Sequence, residues 1–264
     1  MSVEKQGSSL KENLITIVLA VFIALIIRSF LLEPFRIPSG SMYPTLQVGD
    51  YLFVNKYAYG YSRYSFPAGL PLFKGRIFYK QPERGDIAVF KFPKNTHTDF
   101  IKRIVGLPGD KIQVKDGRLY INGEQLEREE KERYIIDEYV TIPEFYHQYD
   151  EILPEGKVHR IIEMSDEERI VDNTEEFIVP EDMFFMMGDN RGNSADSRYW
   201  NDSYAHLEDM YAKVLVRYSY GKHGWYLKRV EDVDFYEKQN AVILAVDNFE
   251  TRTYIRSEEH TSEL

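Results

Sequence analysis

A mainly β protein with one apolar N-terminal helix is the fold class this sequence predicts, and three observations lead to it. Residues 14–27 read LITIVLAVFIALII, broken only by Thr16, and after Arg28-Ser29 the apolar character resumes with Phe30-Leu31-Leu32. From residue 49 onward, short aromatic and β-branched runs recur between Gly, Asp and Pro, the pattern of strands bounded by turns. One of them, KIQVKDGRLYING at residues 111–123, sets Asp116-Gly117 between two such runs, which is a hairpin signal. With 264 residues, 43% hydrophobic content, 20 Tyr and 16 Phe, the chain has material for a sizeable core in one large domain or two small ones.

The stretch 14–32 makes about 28 Å of helix at about 1.5 Å per residue, near the ~30 Å hydrocarbon thickness of a bilayer. It is read as a transmembrane anchor, with Arg28 close enough to one end for its side chain to reach the headgroups. A buried core helix competes with this reading. A cleaved secretory signal does not fit, because Arg28-Ser29-Phe30-Leu31 offers no A-x-A-like site. Residues 1–13 form a short tail expected in the cytoplasm, although Lys5 and Lys11 against Glu4 and Glu12 code orientation only weakly. Ser41 follows Leu32 by nine positions, with Pro34 and Pro38 stiffening the link, so it lies within about 30 Å of the anchor.

Residues 49–56 (GDYLFVNK) predict the next element, a strand. The aromatic, irregular segment 57–81 has two readings, a loop capping the core and a surface at headgroup level, and the pattern leaves both open. Residues 85–92 (GDIAVFKF), 99–107 (DFIKRIVGL) and the hairpin 111–123 follow, with later strands at EFIVP, MFFMMGD and AKVLVRYSY. Residues 124–174 are charge-rich and weakly patterned. Residues 256–264 (RSEEHTSEL) resemble a translated sequencing adapter and are set apart, which leaves 33–255 as the folded domain.

Composition excludes several classes. A net charge of −10 argues against nucleic acid, because phosphate contacts need a concentrated Lys/Arg surface. The absence of Cys removes disulfides, thiolate nucleophiles and Cys-type zinc sites. His97, His147, His159, His206, His223 and His260 are scattered without ligand spacing, so neither a metal nor a cofactor is expected.

In IPSGSMYPTL two hydroxyls, Ser39 and Ser41, flank Gly40. A serine needs a neighbouring base to become nucleophilic, and no histidine is an obvious one. A lysine serves if burial lowers its pKa from ~10.4 toward the operating pH. In DFIKRIVGLPGD the two-residue strand period puts Phe100, Lys102 and Ile104 on one face and Ile101, Arg103 and Val105 on the other. Lys102 therefore has apolar neighbours, with a snorkelling edge lysine as the competing reading. GDNRGNSADSRYW, residues 188–200, reads either as a solvated loop closed by Asx turns and an Asp196–Arg198 pair or as a scaffold holding nucleophile and base together.

In order, the anchor, IPSGSMYPTL, GDYLFVNK, RGDIAVFKFP, DFIKRIVGLPGD and FFMMGDNRGNSADSRYW resemble the bacterial type I signal peptidases, or leader peptidases, of peptidase family S26. The resemblance runs from about residue 14 to about residue 219. It implies a membrane-anchored Ser/Lys protease that clips signal peptides from exported preproteins with A-x-A-like sites. It places the catalytic domain on the outer face of the bacterial cytoplasmic membrane, in contact with lipid. Ser41 would be the nucleophile and Lys102 the general base, with the Ser41 N–H and Ser39 hydroxyl holding the oxyanion and Ser194 orienting the lysine. Arg103 with Asp189, and Asp196 with Arg198, would be structural ion pairs. Met42, Ile101 and Val105 are candidates for lining the substrate subsites. The implied fold is an antiparallel, barrel-like β core with a smaller β region inserted at about 111–180.

Two features depart from the family. Gly192 stands where Asp is more usual, and the Arg- and Trp-rich ending is not recognisable after Tyr226. Some relatives carry a second N-terminal span, whereas this sequence shows one. Two other function classes remain open at this stage, a non-catalytic membrane-anchored β-domain that binds exported chains and a Ser/Lys autoprotease of related fold.

Overall fold

The computed structural model describes residues 10–66, 69–70, 73–136, 144–164, 172–200, 202–221 and 224–230. Helix α1 (Leu10–Phe30) is apolar on every side and uncovered by the described chain; Leu14 is 61% exposed and Phe22 59%. Its 21 residues make about 31 Å, enough to cross a bilayer core. That exposure removes the core-helix reading, since a helix hydrophobic all round needs protein or lipid around it.

The helix closes where the Leu31 N–H donates to the Ile27 carbonyl (2.9 Å), and the chain turns directly into strand β1 (Leu32–Arg36). The sequence predicted a span reaching Leu32 and then a tether. Instead Leu32 pairs with Asn55, and the register continues to Arg36 opposite Tyr51 of β2 (Tyr51–Asn55). Pro34 is tolerated because β1 is an edge strand that needs no donor on its open side. The path from anchor to Ser41 is thus part of the main sheet.

Strands β3 (Ile87–Phe92) and β4 (Asn95–Gly106) follow. Then come β5 (Lys111–Lys115), β6 (Arg118–Ile121), β7 (Glu124–Gln125), β8 (Arg128–Ile136), β9 (Glu144–Ile152), β10 (Val158–Glu163) and β11 (Phe177–Ile178). The last are β12 (Met183–Met187), β13 (Ala205–His206), β14 (Met210–Gly221) and β15 (Gly224–Arg229). The main sheet runs β1-β2-β14-β3-β4-β12-β13, with β15 also on β14. The predicted antiparallel β core is present; β1 and β13 do not pair with each other, so it is not a closed barrel. Strands β5 to β11 lie between neighbours β4 and β12 and form two sheets of their own, β11-β5-β6-β7 and β10-β9-β8. The β5–β6 turn has Asp116 at φ 48° and Gly117 at φ 70°, the left-handed pair a two-residue hairpin demands.

Two-residue periodicity divides the core. Ile87 and Val89 face Leu52, Val54, Ala212 and Val214, where Met42 and Leu46 also pack. Ala88 and Phe90 face Ile104, Phe184, Met186 and Trp200. The β5–β6 hairpin rests Ile112, Val114, Leu119 and Ile121 on Val105, Phe185 and Met187, seating the inserted strands on the ends of β4 and β12. In the segment after β2 the rings differ in burial. Tyr59 and Phe66 are buried, whereas Phe78 is 79% exposed. The Tyr61 hydroxyl donates to the Phe30 carbonyl (2.8 Å), and Phe66 packs edge-on against the Phe30 ring, docking this segment on the helix end.

Candidate active site

Ser41 is carried by a single 3₁₀ turn, Gly40–Met42, closed by the Tyr43 N–H on the Gly40 carbonyl (3.1 Å). The surrounding loop is fastened to itself through the Ile37 N–H on the Asp50 carbonyl (2.8 Å) and the Gly49 N–H on the Ile37 carbonyl (2.9 Å). From β14, buried Arg217 donates to Asp50 Oδ2 (3.1 Å) and to the Thr45 carbonyl (3.3 Å). Glycine at position 40 has a steric cause, because a Cβ there would lie 2.4 Å from the Tyr43 ring. That ring is itself buried and packed against Tyr134 of the inserted strands.

Lys102, on β4, is 5% exposed, and its Nζ lies 2.5 Å from Ser41 Oγ. Burial lowers the amine's pKa to about 8, against the opposing charges of Asp196 and Asp189 and with a smaller contribution from Arg198. The carboxylates do not return the amine to its ordinary pKa because each is held by its own arginine. Arg103 Nε and Nη2 grip Asp189 at 2.8 and 2.7 Å, and Arg198 Nε and Nη2 grip Asp196, both at 2.9 Å. Among the described residues Lys102 makes no ion pair, so desolvation dominates.

The loop after β12 supplies the remaining parts. Asp189 also accepts from Thr45 Oγ1 (2.5 Å), and Asp196 Oδ2 accepts from the Gly188 N–H (3.0 Å). Asn190 donates from its backbone N–H to the Ser41 carbonyl (3.1 Å) and from Nδ2 to the Gly40 carbonyl (3.1 Å). Gly188 lies so close that a Cβ would sit 2.2 Å from Ser194 Oγ and 2.4 Å from the Ser41 carbonyl oxygen. Ser194 is thereby fixed beside the nucleophile segment, buried. Arg191 enters the inserted strands, where it meets the fully buried Glu151. Its backbone pairs with Ile162 of β10, whose own N–H donates to the Asp189 carbonyl (3.0 Å).

With this geometry in place, comparison with known proteins is specific. Residues 10–219 match the family described as signal peptidase, peptidase S26. The chain belongs to that family. Signal peptidase I of Rickettsia massiliae (strain Mtu5) is 41% identical over 223 residues, 82% of each chain. That of Rickettsia typhi (strain ATCC VR-144 / Wilmington) is 39% identical over 229 residues, 84% of this chain and 85% of the relative. A solved signal peptidase I from Enterococcus faecalis V583 is 27% identical, with a TM-score of 0.30 over 51% of this chain and 97% of that one.

In this S26 family member the residues singled out from sequence divide into three groups. Ser41, Lys102 and Ser194 converge with both ion pairs around one point. Ser39 stands immediately before the 3₁₀ turn in extended backbone, exposed. The three subsite candidates differ among themselves. Met42 (2% exposed) and Val105 (0%) are packed in separate core clusters, so they present no surface to a substrate, and partly buried Ile101 alone of the three retains some. Sequence reasoning missed Thr45, Gly188 and Asn190 as parts of the site, although all three lie within the quoted motifs. It also missed Glu151, which no local pattern marks.

Proposed function

We propose that this chain, a serine endopeptidase of the signal-peptide-removing family, cuts exported preproteins with Ser41 as nucleophile and Lys102 as general base. The observation that carries the reading is the 2.5 Å approach of Ser41 Oγ to a buried lysine amine. Neutral Nζ takes the Ser41 proton as Oγ bonds to the scissile carbonyl carbon. The resulting ammonium returns that proton to the leaving amine as the C–N bond breaks, and a water deprotonated by Nζ then hydrolyses the ester. The oxyanion is met by the Ser41 N–H, which in a first turn has no partner within the turn, and by the Ser39 hydroxyl. Ser194 orients Lys102, and the Arg103–Asp189 and Arg198–Asp196 pairs brace the site.

Placement supports the substrate class. A signal peptide presents its cleavage site just beyond its own apolar segment, and Ser41 follows α1 through one strand of the sheet. The catalytic domain is assigned to the outer face of the cytoplasmic membrane, with lipid around α1 and A-x-A-like sites as targets. The test is cleavage of a preprotein bearing such a site by the full chain in detergent. Product at that bond is expected, with loss of several orders of magnitude in Ser41→Ala and Lys102→Met, and loss of about 3 kcal/mol of barrier lowering in Ser39→Ala. Undiminished cleavage by Lys102→Met would overturn the base assignment, and no product from well-folded parent would overturn the peptidase reading.

A further inference from the structure

Away from the Ser41 site, a cavity of about 550 Å³ opens where α1 meets the folded domain, and four cations line it: Arg28, Lys56, Arg63 and Lys91. Two carboxylates answer them. Glu33 is shared by Arg28 (2.7 Å) and Lys56 (2.9 Å). Asp99 is shared by Lys91 (2.8 Å) and the Tyr211 hydroxyl (2.7 Å). Arg63 makes no ion pair among the described residues, although Asp209 feels its charge; its Nη2 donates to the Tyr64 hydroxyl and its guanidinium lies 4.5 Å over the Tyr64 ring. The cavity thus has an excess of positive charge, with Lys56 and Lys91 set in its wall and Arg28 and Arg63 exposed at its mouth. The Lys56 side chain is 3% exposed, and Tyr211 is buried beneath both lysines, with Lys56 Nζ at 5.7 Å and Lys91 Nζ at 5.5 Å from its ring centre. Burial lowers the Lys56 pKa, Glu33 opposes this, and the like charges of Arg28 and Lys91 add to it, so an anion in the cavity would relieve existing repulsion.

The height of the cavity says what kind of anion. Arg28 lies in the last turn of α1, and Phe66, another lining residue, packs on the Phe30 ring at the helix end. With α1 across a bilayer, cationic side chains and aromatic rings at that level sit among the headgroups. The volume falls in the range of small-ligand pockets.

We propose that this cavity is a headgroup site for an anionic phospholipid, with the phosphate held between Arg63 and Lys91 and the acyl chains lying along α1. The proposal rests on α1 spanning the bilayer and is independent of the peptidase chemistry. The full chain in neutral detergent, titrated with dioleoylphosphatidylglycerol or dioleoylphosphatidylcholine and read by native mass spectrometry, tests it. Phosphatidylglycerol is expected to be retained roughly tenfold more tightly than phosphatidylcholine, a preference lost in the Arg63→Gln/Lys91→Gln double variant. Arg63→Gln alone, which breaks no ion pair and removes only exposed contacts to Tyr64, should weaken it while the protein still melts near the parent temperature. Equal retention of the two lipids, or an undiminished preference in both variants, would overturn the proposal. So would sn-glycerol 1-phosphate binding as tightly as the lipid, which would assign the cavity to soluble phosphate esters. Because the readout is bound lipid, its failure would leave the cleavage reaction untouched.

Discussion

Asn190 fixes the backbone on both sides of the Ser41 side chain, its own N–H on the Ser41 carbonyl and its Nδ2 on the Gly40 carbonyl, each at 3.1 Å. The Gly40 carbonyl belongs to the same peptide unit as the Ser41 N–H, so the side-chain bond sets the plane in which that N–H points. Asn190→Ala removes this control while leaving the backbone bond. The expected result is a fall in kcat of about 10- to 100-fold with KM little changed, and a stability loss of about 1–3 kcal/mol, because the side chain also accepts from the Asn193 N–H (3.2 Å) and two hydrogen bonds are lost. Asn190→Asp, which accepts but does not donate, should fare no better. Steady-state kinetics beside thermal denaturation check this, and a kcat loss explained wholly by unfolded protein would reduce Asn190 to a structural part.

The buried amine of Lys102 ties both activity and stability to pH in the parent, a link that Lys102→Met removes. Burial lowers its pKa from 10.5 to about 8, and only the neutral form accepts the Ser41 proton. The rate with a fixed substrate should therefore rise with pH, reach half its maximum near pH 8, and level off above. Between about 8 and 10.5 the unfolded chain holds a proton the native chain has lost, so stability rises with pH across that window. Below it the native state carries a buried ammonium at a cost on the order of 3 kcal/mol. Lys102→Met should be inactive yet melt higher than the parent at pH 7. A Lys102→Met protein that melts lower would contradict the desolvation account.

How much of this was legible in the sequence depends on which side chains face inward. Strands β2, β3, β4, β12 and β14 were readable because their inward positions are apolar, as with Leu52 and Val54 or Ala88 and Phe90. Strands β8 to β10 were not, because their buried positions, on both faces, include Gln148, Asp150, Glu151, His159 and Arg160, which breaks the hydrophobic alternation. Strand β1 was hidden by Pro34, which reads as a breaker unless the edge position is known. In the site, asking which base could serve a serine without histidine left Ser39 and Ser41 both open with Lys102 as a candidate, and it was the family resemblance that assigned Ser41 and Lys102 their roles. Asn190 and Gly188 act through backbone contacts that a sequence does not display, and Glu151 is joined to Arg191 only across 40 residues of chain.

That buried network should set the acid limit of the fold. Burial alone would raise the Glu151 pKa, yet Arg191, His159 and Arg128 outweigh it and hold the carboxyl well below 4.5. Burial is likewise outweighed at Asp189, chiefly by Arg103, and at Asp196, chiefly by Arg198. Depressed carboxylates contribute stability above their unfolded pKa and lose it as pH falls through the folded one. The melting temperature should therefore drop steeply below about pH 4.5. Glu151→Gln strands Arg191, while Arg128 keeps Glu163 (3.0 Å), and should cost about 3–5 kcal/mol at pH 7, with a shallower acid dependence than the parent. Parallel pH curves for parent and variant would show that Glu151 is not the group that titrates.

Gly188 leaves no room for any side chain between Ser194 and the nucleophile. A Cβ at 2.2 Å from Ser194 Oγ could be relieved by moving that hydroxyl, but the 2.4 Å approach to the Ser41 carbonyl oxygen is to backbone. Gly188→Ala must therefore push the Gly40–Met42 turn away from Lys102 or move the start of the loop that carries Asp189. Because misplacement by about 1 Å costs on the order of 100-fold in rate, the variant should lose at least that much activity, with destabilisation of about 1–3 kcal/mol from overpacking. Adding Ser194→Ala removes the Oγ contact but leaves the Cβ of residue 194 (2.6 Å) and the Ser41 carbonyl oxygen (2.4 Å). Activity in the double variant should consequently stay at or below that of Gly188→Ala. Recovery there would identify the Ser194 hydroxyl as the obstruction, and near-parental activity in Gly188→Ala itself would mean that the turn bearing Ser41 is free to move without loss.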